Sequence, residues 1–272
     1  MPRRLTDYAG VLLDLDGTLL KHDHPLPGAA DLVRHLQDAG VPTLVVSNST
    51  SGPRLIAERL NAAGIALAQE RVLTAAAAAV DYIEATAAKR LRRPPRVFNL
   101  GQPDLDELIA DIGTLVGGAG GECDFVLAGA PANELASDDR RRIALAMLRD
   151  GAELIGVCAD RVYPSRRGIE FGCGAFCAML GYAAGVRATY CGKPEKVFFD
   201  DALRHLGSPA AGDVLMLGDN LEADVLGAKA AGLKTGLVLG GVARQSDVDE
   251  LPDVMRPGFV AEDLPAIVAE LL

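Results

Sequence analysis

Short unbroken apolar runs alternate with segments of helical spacing along this 272-residue chain, which is the rhythm of an α/β fold. Val11 to Leu13 reads as a parallel strand covered on both faces, and it ends in Asp14 and Asp16, with Gly17 and Thr18 forming a turn. Pro27-Gly28-Ala29 then opens a helical pattern (Leu32, Val33, Leu36) that stops at Gly40. Val41 to Val46 is the second predicted strand, running into Ser47-Asn48-Ser49-Thr50, and Pro53 to Ala63 is the next helix. A right-handed crossover brings both strand ends to one side of a sheet, so Ser47 is expected beside Asp14. Ligands of open α/β sheets bind outside the carboxyl ends of strands, so two acids at such an end point to chemistry rather than to a turn cap.

The pattern then leaves this core. Thr74 to Lys89 is an alanine-rich helix, and Lys89 to Arg96 is a basic, proline-broken stretch read as a solvated linker because no aromatic residue is interleaved. A second α/β set follows: Val97 to Leu100, a helix over Asp104 to Ile112, Phe125 to Leu127, a helix over Ser137 to Asp150, and Leu154 to Val157. A helix from Ala175 to Gly185 leads back to the first pattern. There a helix over Lys196 to Leu206 precedes Asp213 to Leu217, an apolar strand ending in Gly218-Asp219-Asn220. Asp224 is expected at the start of a helix running to Ala231; a strand over Leu237 to Leu239 and a helix over Leu264 to Leu272 complete the chain. The expected fold is a Rossmann-like, doubly wound parallel sheet over residues 1–85 and 187–272, with a smaller α/β domain inserted over 86–186.

Composition narrows the functions. A hydrophobic share of 49% is ample for a core, and a net charge of −10 disfavours nucleic acid and anionic membranes as partners. The longest uncharged stretch, Phe171 to Val186, is too short and too glycine-rich to span a bilayer. Met1 to Gly10 carry Arg3 and Arg4 but no apolar core, so no secretory leader and a cytoplasmic location are expected. An odd number of cysteines at irregular spacing fits a reducing compartment. Cys173 and Cys177, one helical turn apart, read as small core residues because no further ligand lies at zinc spacing.

Asp14, Asp16, Ser47, Lys193, Asp219 and Asp224 therefore form the candidate constellation. Carboxylates gather only around a cation, and hard oxygen ligands without His or Cys select Mg²⁺ over zinc. Lys193 offers a point charge and Ser47 a hydroxyl, both suited to phosphate oxygens.

Asp14-Leu-Asp16-Gly17-Thr18, Ser47, Lys193 and Gly218-Asp219-Asn220 with Asp224, in that order, resemble the haloacid dehalogenase-like hydrolases. Pro25-Leu-Pro27-Gly28-Ala29, the insertion between Ser47 and Lys193, and Gly172-Cys-Gly174-Ala-Phe176 are similar to the NagD-like branch, whose p-nitrophenyl, sugar-phosphate and nucleotide phosphatases carry a large α/β cap. The resemblance covers nearly the whole chain and implies a Mg²⁺-dependent phosphatase of a small phosphorylated metabolite. Asp14 would be the nucleophile and Asp16 the general acid/base. The metal would be held by Asp14, the backbone carbonyl of Asp16, Asp219 and Asp224, the last directly or through water. Ser47 and Lys193 would bind the phosphoryl group, Thr18 and Asn48 would join them in binding substrate, and Thr18 and Asn220 would position neighbours. A homodimer is compatible with this reading.

The sequence departs from the branch in two places. The family's Asn-Asn after the hydroxyl is Asn48-Ser49, and the cap's Thr-Asn-Pro-Asp is Val157-Cys158-Ala159-Asp160, which bears on the substrate and not on the chemistry. A polar loop over Asp160 to Arg167, with Asp160, Arg161, Tyr163 and Arg166, is expected to choose the substrate. Alternatives are a phosphomutase or phosphotransferase on the same core, a metal-independent dehalogenase, and a phospho-acceptor signalling module. The full acid set and the inserted domain oppose the last two.

Overall fold

The computed structural model describes residues 3–118, 120–129, 137–165 and 168–271. They divide into two compact units. One comprises Met1–Ser47, Pro53–Leu73 and Lys193–Leu272, the other Asn48–Gly52 and Thr74–Gly192. The expected boundary after residue 85 falls inside a helix, Ala75–Arg90, that belongs whole to the second unit; Thr74 caps it by accepting from the Ala77 N–H at 3.1 Å.

The first unit is built on a six-stranded sheet. Its strand order is Phe259–Ala261, Lys234–Val238, Val214–Gly218, Gly10–Asp14, Thr43–Ser47, Val72–Thr74. Gly10–Asp14 pairs in parallel with Thr43–Ser47 on one side and Val214–Gly218 on the other, and all three strands are buried along their whole length. That explains their unbroken apolar runs: helices cover both faces, so no position alternates to solvent. The helix Ala29–Asp38 buries Ala29, Leu32, Val33 and Leu36, the stripe read from the sequence, in one core with Leu13, Val45 and Ile267. Strand order reverses between Gly10–Asp14 and Val214–Gly218, so the crevice at their carboxyl ends is the topological switch point where such sheets bind ligands.

Three strands and one helix start differ from the sequence expectation. The strand expected from Leu237 begins at Lys234, since its first half reads Lys-Thr-Gly and lacks an apolar run. Phe259–Ala261 and Val72–Thr74, three residues each, are too short for their periodicity to register. Asp224 sits inside a π-type turn, Leu221–Leu226, that precedes the short helix Gly227–Ala230, rather than starting one continuous helix.

The second unit has a five-stranded parallel sheet in the order Thr189–Tyr190, Glu153–Gly156, Phe125–Ala128, Arg96–Leu100, Thr114–Leu115. The polar stretch after Asp160 is not one loop. Val162–Ser165 pairs antiparallel with Gly168–Phe171 in a separate two-stranded hairpin. Its Val162, Ile169 and Phe171 stay exposed, so no buried face marked it in the sequence. The basic stretch is not a free linker either. Arg93 grips Asp124 with two hydrogen bonds (2.7 and 2.9 Å), while Arg90 and Arg96 pair with Glu153 and Glu122. Cys173 and Cys177 are buried, with sulfurs 3.9 Å apart, and the Cys173 thiol donates to the Ala128 carbonyl at 3.2 Å. Among the described residues no helix is long and apolar enough to cross a membrane.

Candidate active site

Sheet register assembles the site. Asp14 lies opposite Val46, which puts Ser47 one residue beyond it on the neighbouring strand, as the crossover rule requires. On the other side Leu13 lies opposite Leu217, so the chain leaves Gly218 at the level of Asp14 and delivers Asp219 just past it. Asp14, Ser47, Lys193, Asp219 and Asp224 are all buried, which such polar groups tolerate only with partners at hand.

Each oxygen of Asp14 is engaged. Lys193 Nζ donates to Oδ1 at 2.5 Å, and Thr18 Oγ1 donates to Oδ2 at 3.1 Å. The same ammonium donates to Asp224 Oδ1 at 2.7 Å, so one lysine bridges two carboxylates. Asp224 Oδ2 accepts the Asn220 N–H at 3.0 Å, and the Asn220 side chain caps the π-type turn by accepting from the Glu222 and Ala223 N–H groups. Such turns, with one extra residue in the helical ring, recur at functional sites.

Asp219 is fixed from a different direction: its Oδ2 accepts the Val242 N–H at 2.7 Å. Its carboxylate lies against Gly17, which has φ of 94°, and against Gly241; a β-carbon on either would strike it. Gly17 is therefore needed twice, for the left-handed turn and for the space beside Asp219.

Asp14, Asp219 and Asp224 each offer an oxygen within 4.8 Å of the others. Three buried carboxylates facing one ammonium leave negative charge in excess. Burial pushes the Asp14 carboxyl well above its usual range; Asp224 and Asp219 push the same way, and Lys193 opposes them. Burial also raises Asp219, against the pull of the Val242 N–H. For Lys193 burial works against the charge, but Asp14 and Asp224 outweigh it and move the pKa up. The set is all oxygen and short of positive charge, so the residues present fit a hard divalent cation.

Asp16 stands apart from this cluster. Its carboxylate is exposed and is paired with Arg59, 2.8 Å away on the helix Pro53–Ala62, rather than gathered with the other acids of the candidate constellation. Arg59 itself was missed, because one arginine on the polar face of an amphipathic helix carries no signal. The Val242 donor was missed too, although Gly240-Gly241 at the end of a strand was a readable sign of a close backbone approach.

In the second unit Asp160 is held at one oxygen: Oδ2 meets the Cys158 thiol at 3.2 Å and the Asn48 amide at 3.4 Å. Arg161 is exposed, and Arg166 lies outside the described residues.

A family model described as "Haloacid dehalogenase-like hydrolase" matches residues 11–114, and one described as "HAD-hyrolase-like" matches residues 190–267. The chain is 30% identical over 258 residues to the 5'-nucleotidase YutF of Bacillus subtilis, covering 94% of this chain and 96% of that one. It is similar to the crystal structure of glycerol phosphate phosphatase Rv1692 from Mycobacterium tuberculosis in complex with magnesium, with a TM-score of 0.85, 28% identity and coverage of 97% and 78%. NagD from E. coli superposes with a TM-score of 0.83 at 27% identity, covering 94% of this chain and 97% of that one.

Proposed function

The chain belongs to the haloacid dehalogenase-like hydrolases, in their NagD-like branch, and on that premise we propose that it is a magnesium-dependent phosphatase of a small phosphomonoester, acting through an aspartyl-phosphate on Asp14. The observation that carries this reading is the buried cluster of Asp14, Lys193, Asp219 and Asp224 at the switch point of the sheet. Magnesium suits the cluster by its all-oxygen donors and its deficit of positive charge, and Asp14, Asp219 and Asp224 would hold it, with the backbone carbonyl of Asp16. When bound, the ion supplies positive charge that offsets the repulsion between a carboxylate and a phosphate dianion.

The chain's own groups then have distinct tasks. Thr18 and Lys193 orient the Asp14 carboxylate, and an Asp14 oxygen attacks phosphorus as the ester P–O bond breaks. Asp16 gives its proton to the departing oxygen. In the second half-reaction Asp16 takes a proton from the water that attacks phosphorus, which releases inorganic phosphate and frees Asp14. Lys193 and the Ser47 hydroxyl bind phosphoryl oxygens while they carry the transferred charge. The second unit, Asn48–Gly52 and Thr74–Gly192, is assigned as the cap, with Asp160, Arg161 and Arg166 as substrate-selecting residues.

The test is release of phosphate from p-nitrophenyl phosphate. Activity should vanish in excess chelator and return with Mg²⁺, and Asp14→Asn should lower kcat by about 10⁴-fold or more, since an amide of the same shape is a very poor nucleophile. Asp219→Ala should need far more Mg²⁺ for the same recovery. Full turnover in chelator, or an Asp14→Asn enzyme within tenfold of the parent, would overturn the reading.

A further inference from the structure

The turn after the nucleophile strand is tight: the Gly17 N–H donates to the Leu20 carbonyl at 2.7 Å, and the Leu19 and Leu20 N–H groups both reach the Leu15 carbonyl at 2.9 Å. The chain continues into a short hairpin, Leu20–Lys21 against His24–Pro25, with His22 and Asp23 at its tip and His22 in the left-handed region at φ 56°. Arg59 reaches across to this tip. Its Nη2 donates to Asp16 Oδ1 at 2.8 Å and to the His22 carbonyl, and its Nε donates to Asp23 Oδ1 at 3.1 Å. The Arg59 side chain is only 26% exposed, against 56% for Asp16 and 67% for Asp23, so the guanidinium is the enclosed centre of the group. Ion pairs with partners this exposed contribute little to stability, and three directed contacts from one side chain call for another explanation.

We propose that Arg59 is a positioning residue for Asp16, holding one carboxylate oxygen and the hairpin tip together so that the other oxygen, Oδ2, faces the departing and attacking oxygens in a fixed direction. The inference rests on Asp16 being the acid/base of the proposed reaction. An exposed aspartate otherwise samples several rotamers, and a proton donor in the wrong rotamer contributes nothing at the moment the ester bond breaks. Arginine suits the task better than lysine because its planar fork fixes direction as well as distance. Asp23 and the His22 carbonyl hold the fork in turn.

The experiment compares kcat/KM for phenyl phosphate, whose leaving oxygen is strongly basic and needs a proton, with kcat/KM for p-nitrophenyl phosphate, whose leaving oxygen needs little help. Both report steps up to departure of the phenol, where the acid acts. Asp16→Asn calibrates the effect. Arg59→Gln should lower kcat/KM by about tenfold or more on phenyl phosphate and by less than about threefold on p-nitrophenyl phosphate. Arg59→Lys should recover part of that loss, and Asp23→Asn, which leaves Arg59 and Asp16 in place, should show the same selectivity in weaker form. If Arg59→Gln folds poorly, Asp23→Asn carries the comparison. Equal losses on the two substrates, or no loss on either, would overturn the role of Arg59. An Asp16→Asn enzyme without leaving-group selectivity would instead remove the acid role of Asp16, a failure of the underlying reading that is separately visible.

Discussion

Lys193 shows how much one side chain does here. It is buried, donates to Asp14 and Asp224 together, and is the cation that compensates them before any metal is bound. Removing one partner of a buried ion pair leaves an uncompensated charge, which costs about 3–5 kcal/mol. Lys193→Met, close in length but uncharged, should therefore lose activity and also melt well below the parent in chelator. Because the deficit is one of positive charge, added Mg²⁺ should raise the melting temperature of Lys193→Met by more than it raises the parent's. Thermal melts with and without Mg²⁺ check this, and an unshifted melt in chelator would show that the ammonium is not what the carboxylates depend on. Asp16 is the opposite case at this scale. Its neighbours along the chain and its spacing from Asp14 were legible, but its partner lies 43 residues away on a helix face, where only the folded chain brings Arg59 to it.

At the scale of elements, the strands that carry chemistry were readable because burial on both faces leaves unbroken apolar runs that end abruptly in acids or hydroxyls. Asp14, Ser47 and Asp219 all stand at such ends. The elements missed have no such contrast: three-residue edge strands, and a hairpin whose Val162, Ile169 and Phe171 are exposed. Gly172 and Gly174 were recognised only as part of a motif, and their reason is local. A β-carbon on either would strike the backbone of Ala159 or Asp160, whose carbonyls lie against the start of the helix Cys173–Ala184. The basic stretch before Arg96–Leu100 reads as a solvated linker in the sequence because charge runs look alike whether solvated or paired. Burial alone would raise the Asp124 carboxyl, but the Arg93 fork and the Arg96 N–H outweigh it and hold it below its usual range. A depressed folded-state pKa stabilises the fold above the unfolded-state value and loses that contribution as pH falls through the folded one. Asp124→Asn should thus lower the melting temperature by about 2–4 °C near neutral pH. The gap from the parent should close below the ordinary carboxylate range, near pH 3 and under. A gap that persists unchanged in acid would mean that packing, not charge, links this segment to Asp124.

For the whole molecule, the two units carry different kinds of information. The first holds Asp14, Asp16, Ser47, Lys193, Asp219 and Asp224, the groups proposed to act on any phosphomonoester, and its strand order and register bring Asp14, Ser47 and Asp219 to one end of the sheet. The second holds the departures from the branch, with Cys158 in place of the usual Asn and its thiol 3.2 Å from Asp160 Oδ2. With Oδ2 shared between Cys158 and Asn48, the arrangement orients the carboxylate, and the exposed Arg161 beside it adds a charge complementary to an acidic or phosphorylated group. The chain is similar over nearly its whole length both to a relative named a 5'-nucleotidase and to one named a glycerol phosphate phosphatase, and a shared fold does not by itself fix the substrate. Chemistry and choice of substrate should then separate under mutation. Across a panel of nucleotides, sugar phosphates and glycerol phosphate, Asp160→Ala and Arg161→Ala should lower kcat/KM for the best substrate by about tenfold or more, while turnover of p-nitrophenyl phosphate stays within about threefold. Asp219→Ala should lower both together, because it removes a group every substrate needs. Cys158→Asn, restoring the residue usual in the branch, should re-rank the panel without slowing p-nitrophenyl phosphate. If the Asp160 and Arg161 variants fall equally on every substrate, or on none, selection does not reside in this part of the second unit, and the remaining determinants must be sought in the groups around Asp14 itself.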